Sequence, residues 1–129
     1  MIEPATAARA ARKRSEAGGI ELERACAEET IDPLLSDPAG KEELSRLDVD
    51  FHCTVASQAG NRVVLENLSQ LMTRMSLYSA YGHAGAAELA WEEHRAIARA
   101  IRSGSSEEAA AAMRDHLTSG LDRIRKAVG

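Results

Sequence analysis

The chain has 129 residues, 44% of them hydrophobic and 28% charged, with a formal net charge of −4. That length fits a single domain spanning 1–129 with a core of its own, and the acidic balance excludes a chain that grips nucleic-acid phosphates across a basic face. No apolar run reaches the roughly 20 residues of a membrane span, and the opening MIEPATAARAARKR lacks the order of a secretory leader, so a cytoplasmic protein away from membranes is expected.

Alanine and leucine dominate and aromatic residues make up only 3%, a balance that favours helices over strands. Periodicity near 3.6 residues runs along the chain and predicts an all-α fold. The first helix is expected from Pro4, acceptable in a first turn, to Arg14. Its tail carries Arg9, Arg12, Lys13 and Arg14, where cations favour the negative end of the helix dipole; a solvated cluster, not a nucleic-acid patch, is the expectation. Ser15 offers a cap for a second helix running to Leu35, with Gly18, Gly19 and Pro33 weakening its ends. Ser36-Asp37-Pro38-Ala39-Gly40 is a turn by composition.

A third helix is predicted over Lys41–Ala59, with Gly60 as its stop and Asn61 as the cap of the fourth, which runs to Tyr81. Gly82-His83-Ala84-Gly85 is a looser connection that leaves His83 exposed. The fifth helix covers Ala87–Arg102 and stops at Gly104; Ser105 and Glu108 then form a capping box for a sixth that runs to Ala127. Short connections favour antiparallel neighbours, so the architecture is an antiparallel helical bundle. Cys26 and Cys53 lack metal or disulfide spacing and read as small apolar residues of a reducing compartment. Leu68, Met72 and Met75 read as core packing.

The informative residues are polar ones on apolar stripes. On the third helix the stripe is Leu44, Leu47, Phe51, Val55 and Ala59, and Asp48 and His52 ride its edge, four residues apart on one face. On the fifth, His94 shares a face with Ala90, Ile97 and Ile101. On the sixth, His116 lies among Ala109, Ala112, Met113, Leu117, Ile124 and Val128. Three of the chain's 4 histidines thus face inward from separate helices, with a carboxylate beside one of them. Burying such groups without partners costs several kcal/mol. A divalent ion shared by all of them removes that cost, and three imidazoles with one carboxylate suit Zn, Ni, Co or Mn. The pattern is equally met by Asp48 and His52 bonded to each other and by histidines that are simply satisfied in a core.

Leu47-Asp48-Val49-Asp50-Phe51-His52, Ala59-Gly60-Asn61, Glu92-Glu93-His94 and Met113-Arg114-Asp115-His116-Leu117 follow one another in order. With the start Ile2-Glu3-Pro4-Ala5, they resemble the C-terminal ligand-binding domain, called FCD, of GntR-type transcription regulators of the FadR subfamily, in its metal-dependent branch. The resemblance implies an antiparallel bundle of six or seven helices, dimeric in the intact regulator. It implies one divalent metal, zinc first and Ni, Co or Mn next, held by Asp48, His52, His94 and His116. It implies a small carboxylic acid as effector and DNA contact only through a preceding winged helix-turn-helix domain, which these residues do not include.

The expected function is therefore effector sensing without catalysis, with Asn61, Arg74 and Tyr78 as candidate effector contacts. For Asn61 a helix cap, and for Arg74 and Tyr78 an ordinary helix surface, are the competing roles. Trp91 either walls the cavity or lies at a dimer interface. A metalloenzyme acting on a small organic acid through the same residues is the rival, and an open metal position would serve it. Against it, Glu92 and Glu93 are expected to point away from the face of His94, leaving no general base by motif. A metal-free helical interaction domain is the third reading.

Overall fold

The computed structural model describes residues 2–60, 62–63, 65–67, 70 and 86–128. Among them are α1 (Ile2–Arg12), α2 (Glu16–Ala25), α3 (Glu28–Leu35), a 3-10 turn at Pro38–Gly40, α4 (Lys41–Ala59), α5 (Ala86–Ser103) and α6 (Ser106–Val128), and no strand. The described residues between 62 and 70 are also helical. Asn61, Leu68, Met72, Arg74, Met75, Tyr78 and His83 lie outside the described residues. Among the described residues no helix is long and apolar enough to cross a membrane. The all-α expectation holds.

The first helix takes a central place, touching α4, α5 and α6. Its inward face is Ala7, Ala10 and Ala11, all buried, and such small side chains let neighbouring backbones close in without leaving voids. The larger core side chains come from the other helices: Leu22 and Ile31 from α2 and α3, Phe51 and Val55 from α4, Ile97 and Ile101 from α5, Met113 from α6. The predicted stripe of α4 is the buried one, with Leu44 and Leu47 partly covered at its start. Trp91 is buried beside His94, its ring edge-on at 4.5 Å, so it walls the interior.

Helix directions follow from the contacts. Residues before and after Gly104 fold back on each other, which makes α5 and α6 antiparallel, as their short connection requires. The contacts Arg102 to Gly19 and Arg95 to Cys26 make α2 and α5 antiparallel as well. By contrast α1 and α4 run the same way, because Glu3 meets His52 and Arg9 meets Ala59. They are not consecutive in the chain, so no short loop constrains them.

Two local expectations need correction. The segment from Ser15 to Leu35 is two helices rather than one. Ser15 caps α2 by accepting from the Gly18 N–H at 3.0 Å, but the chain leaves helical geometry at Cys26 (φ −124°, ψ 20°) and Ala27 (φ −65°, ψ 140°). The sequence there holds no breaker; a tertiary contact supports the break, since Arg95 Nε donates to the freed Cys26 carbonyl at 2.8 Å. Pro33 lies inside α3 and does not end it. The capping box is half formed: Ser105 Oγ accepts from the Glu108 N–H at 3.3 Å. The other half is absent because the Ser105 N–H is already bonded to the Ala100 carbonyl at 3.1 Å. That bond and the one from Gly104 N–H to Ile101, at φ 78° for Gly104, close α5 in a Schellman turn that favours glycine.

The basic run is exposed, as expected, and three of its residues also have a definite place. Arg9 Nε donates to the Ala59 carbonyl at 2.7 Å, at the end of α4. The Lys13 side chain lies over Gly60 and the Arg14 side chain over Gly104. The C-terminal ends of α1, α4 and α5 therefore meet at one end of the bundle, where these cations oppose their converging negative dipole ends.

Candidate metal centre

Three helices bring the four sequence-predicted donors to one point. Asp48 and His52 project from the same face of α4, one helical turn apart; His94 comes from the middle of α5 and His116 from the middle of α6. His94 and His116 sit 10 residues before and 12 residues after Gly104, at matching depth in the α5–α6 hairpin. His52, His94 and His116 are 2%, 0% and 7% exposed, so their nitrogens are out of reach of bulk water.

The donor atoms form a closed ring. Asp48 Oδ1 lies 3.4 Å from His52 Nε2 and 3.0 Å from His94 Nε2. His116 Nε2 closes the ring at 3.2 Å from His52 Nε2 and 3.2 Å from His94 Nε2. All four atoms fall within 4.8 Å of one another. Bonds of ~2.0–2.1 Å to a shared ion place neighbouring donors roughly 3.0–3.4 Å apart. The ring has those spacings, so Asp48, His52, His94 and His116 lie together and could hold a metal ion.

Each imidazole is oriented from behind, and by different means. His52 Nδ1 is 2.8 Å from Glu3 Oε1, a buried contact to the first turn of α1. His116 Nδ1 is 2.7 Å from Glu93 Oε1 on α5, and Glu93 in turn accepts from Arg123, 2.8 Å from NH2. A carboxylate can only accept, so Nδ1 carries the proton in both rings and Nε2 faces the centre. The ring of His94 stacks on Phe51 at 4.5 Å and 14°, while Trp91 stands edge-on to it at 4.5 Å. Its buried Nδ1 has no hydrogen-bond partner among the described residues.

Proton affinities reflect this division. Burial opposes charge on His52, but Asp48 and Glu3 outweigh it and hold the imidazolium up to about 10. Burial pushes His94 down to about 3, more than Asp48 can restore, so it is a neutral donor at any ordinary pH. Burial would raise Asp48, yet its contacts with His52 and His94 hold the carboxyl well below its usual range. Glu93 behaves alike: burial is outweighed by His116 and Arg123, and it falls to about 2. The carboxylates of Asp48 and Glu3 face the charged His52, and that of Glu93 faces Arg123, so acidic groups outnumber these two cations in the described cluster. A divalent cation is the species that such a set accommodates.

Sequence reasoning found the four donors and missed what holds them. Glu93 points away from His94 as expected, but it reaches His116 on the neighbouring helix. Glu92 is exposed and bonded to Arg95 at 2.7 Å. Glu3 was read only as part of a family signature. Both missed carboxylates left a trace, because Glu3 shares a helical stripe with Ala7 and Ala10, and Glu93 with Ile97 and Ala100, all buried. Arg123 left none. The three candidate effector contacts, Asn61, Arg74 and Tyr78, fall outside the described residues.

A family model described as the FCD domain matches residues 1–119, which takes in all four converging donors. No curated protein matches the chain.

Proposed function

This chain belongs to the FCD domain family, which comprises regulatory ligand-binding domains, and from that membership and the buried donor ring we propose that it is a metal-dependent sensor of a small organic carboxylate. The carrying observation is the closed ring of Asp48, His52, His94 and His116 from three helices. These residues would hold one divalent transition metal, zinc first and Ni, Co or Mn as alternatives. When bound, the metal supplies a Lewis-acidic docking point for a carboxylate oxygen. Asp48 and His52 anchor α4, His94 anchors α5 and His116 anchors α6, so the relative positions of three helices are tied to the occupancy of one site.

In this reading Asn61, Arg74 and Tyr78 fix the rest of the effector molecule. The intact regulator is a homodimer in the cytoplasm and meets DNA through a separate winged-helix domain, whose position is biased by effector binding. The acidic balance of this chain fits a part that does not itself hold DNA. The domain performs no reaction. Glu93 is committed to His116 and Arg123, Glu3 to His52 and Glu92 to Arg95, so each of these carboxylates has a structural bond in place of the freedom a general base needs.

Elemental analysis of the untagged protein beside a His52→Ala, His116→Ala variant tests the site. About one equivalent of metal in the native protein, lost in the variant, is the expected result; no uptake by the native protein even with excess metal would end this reading. Thermal-shift screening of small carboxylic acids with and without metal then tests the sensor. A binder should stabilise only the metal-loaded protein and be recovered unchanged, whereas consumption of the acid would favour the metalloenzyme.

A further inference from the structure

The ring of donors is held by two kinds of support, and the difference is not a matter of exposure, since all three imidazoles are buried. His52 and His116 each direct Nδ1 at a carboxylate oxygen, at 2.8 and 2.7 Å. His94 has aromatic rings on its face and edge and no hydrogen bond at Nδ1 among the described residues. An imidazole whose Nδ1–H is committed to a carboxylate has its Nε2 lone pair available and its ring plane fixed, and its basicity rises. One without that commitment can place its proton on either nitrogen.

We infer that Glu3 and Glu93 are positioning residues that set His52 and His116 in the Nδ1–H form and aim both Nε2 atoms at the proposed metal, with Arg123 in turn positioning Glu93. This deepens the metal-site reading and rests on it. Glu3 is 6% exposed and lies in the first turn of α1, so the positioning of His52 depends on the docking of that helix. Glu93 is a two-sided clamp: Oε1 accepts from His116 and from Arg123 NH2, and Oε2 lies 3.3 Å from Arg123 NH1. Arg123 stands beyond residue 119, where the family match ends. It lies two turns along α6 from His116, the histidine it serves through Glu93.

The test uses zinc and proton NMR of the imidazoles in the intact chain. In zinc-loaded native protein, Nδ1–H signals of His52 and His116 should be protected from exchange with water. Glu3→Ala should abolish the first and Glu93→Ala the second, each with a loss of about 10- to 100-fold in zinc affinity against a competing chelator. Glu3→Gln and Glu93→Gln keep an acceptor oxygen and should retain the signal and recover most of the affinity, which a purely packing role would not predict. Arg123→Gln leaves both carboxylates in place and should cost less than Glu93→Ala, so it carries the test if that variant does not fold. Native protein that binds zinc while folded alanine variants bind it equally well and keep both proton signals would overturn the inference alone. Native protein that takes up no zinc would overturn the metal-site reading, and this inference with it.

Discussion

The middle and the C-terminal end of α4 handle charge in opposite ways. At its middle, Asp48 and His52 enter a largely buried cluster in which each carboxylate and imidazole meets at least one specific neighbour at 2.7–3.4 Å, His94 through Nε2 alone. At its C-terminus, Arg9, Lys13 and Arg14 gather over the ends of α4 and α5 at the surface, held by one bond to a carbonyl and by general attraction to helix dipoles. In the interior a charge without a partner is costly, so geometry is strict; at the surface water and salt substitute for any single partner, so composition suffices. The difference explains why strict matching of partners is confined to the first region.

The comparison is broken most severely by removing the wall between the polar cluster and the core. Phe51 is fully buried and stacks on His94. Phe51→Ala should lower stability by about 3–5 kcal/mol in urea unfolding of metal-free protein, and it should also weaken zinc retention because His94 loses its support. A loss under about 1 kcal/mol would show that the site, not the core, organises this region.

Metal itself comes next. At a free zinc concentration near 100 times the dissociation constant, native protein should gain about 2.7 kcal/mol, a rise in Tm on the order of 10 °C. A chelator should reverse it, and the His52→Ala, His116→Ala variant should show none of it. Gly104→Ala places a side chain at φ 78° beneath Arg14, and a cost of about 1 kcal/mol is expected from the left-handed backbone. Thermal melts measure it, and zinc affinity should not change. The smallest effect is expected for Arg9→Met, which removes the bond to the Ala59 carbonyl and leaves most of the packing. It should cost about 1 kcal/mol or less, and the difference from native protein should shrink in high salt. A salt-independent loss would mean that this end of the bundle is as strictly matched as the interior.

The donors were legible because each stands on a stripe that its own helix defines. Asp48 and His52 are set by i and i+4 geometry, and His94 and His116 by the apolar residues three and four positions away. The supports were legible at most as inward positions of Glu3 and Glu93, not by partner, since Glu3 reaches His52 from another helix and Arg123 reaches Glu93 across the α5–α6 hairpin. The break at Cys26–Ala27 escaped for the same reason: nothing local ends the helix there, and the bond that accommodates it comes from Arg95.

By itself, then, the sequence determined what depends on neighbours a few residues apart: among the described residues, the helical segments apart from the break at Cys26–Ala27, the faces they bury and the four polar residues on those faces. Only the tertiary structure decided which helix lies beside which, that α1 runs with α4, and that Glu3 and Glu93 stand behind His52 and His116. Helical periodicity is a property of local backbone geometry, whereas the partner of a buried charge is chosen by packing among segments far apart in the chain.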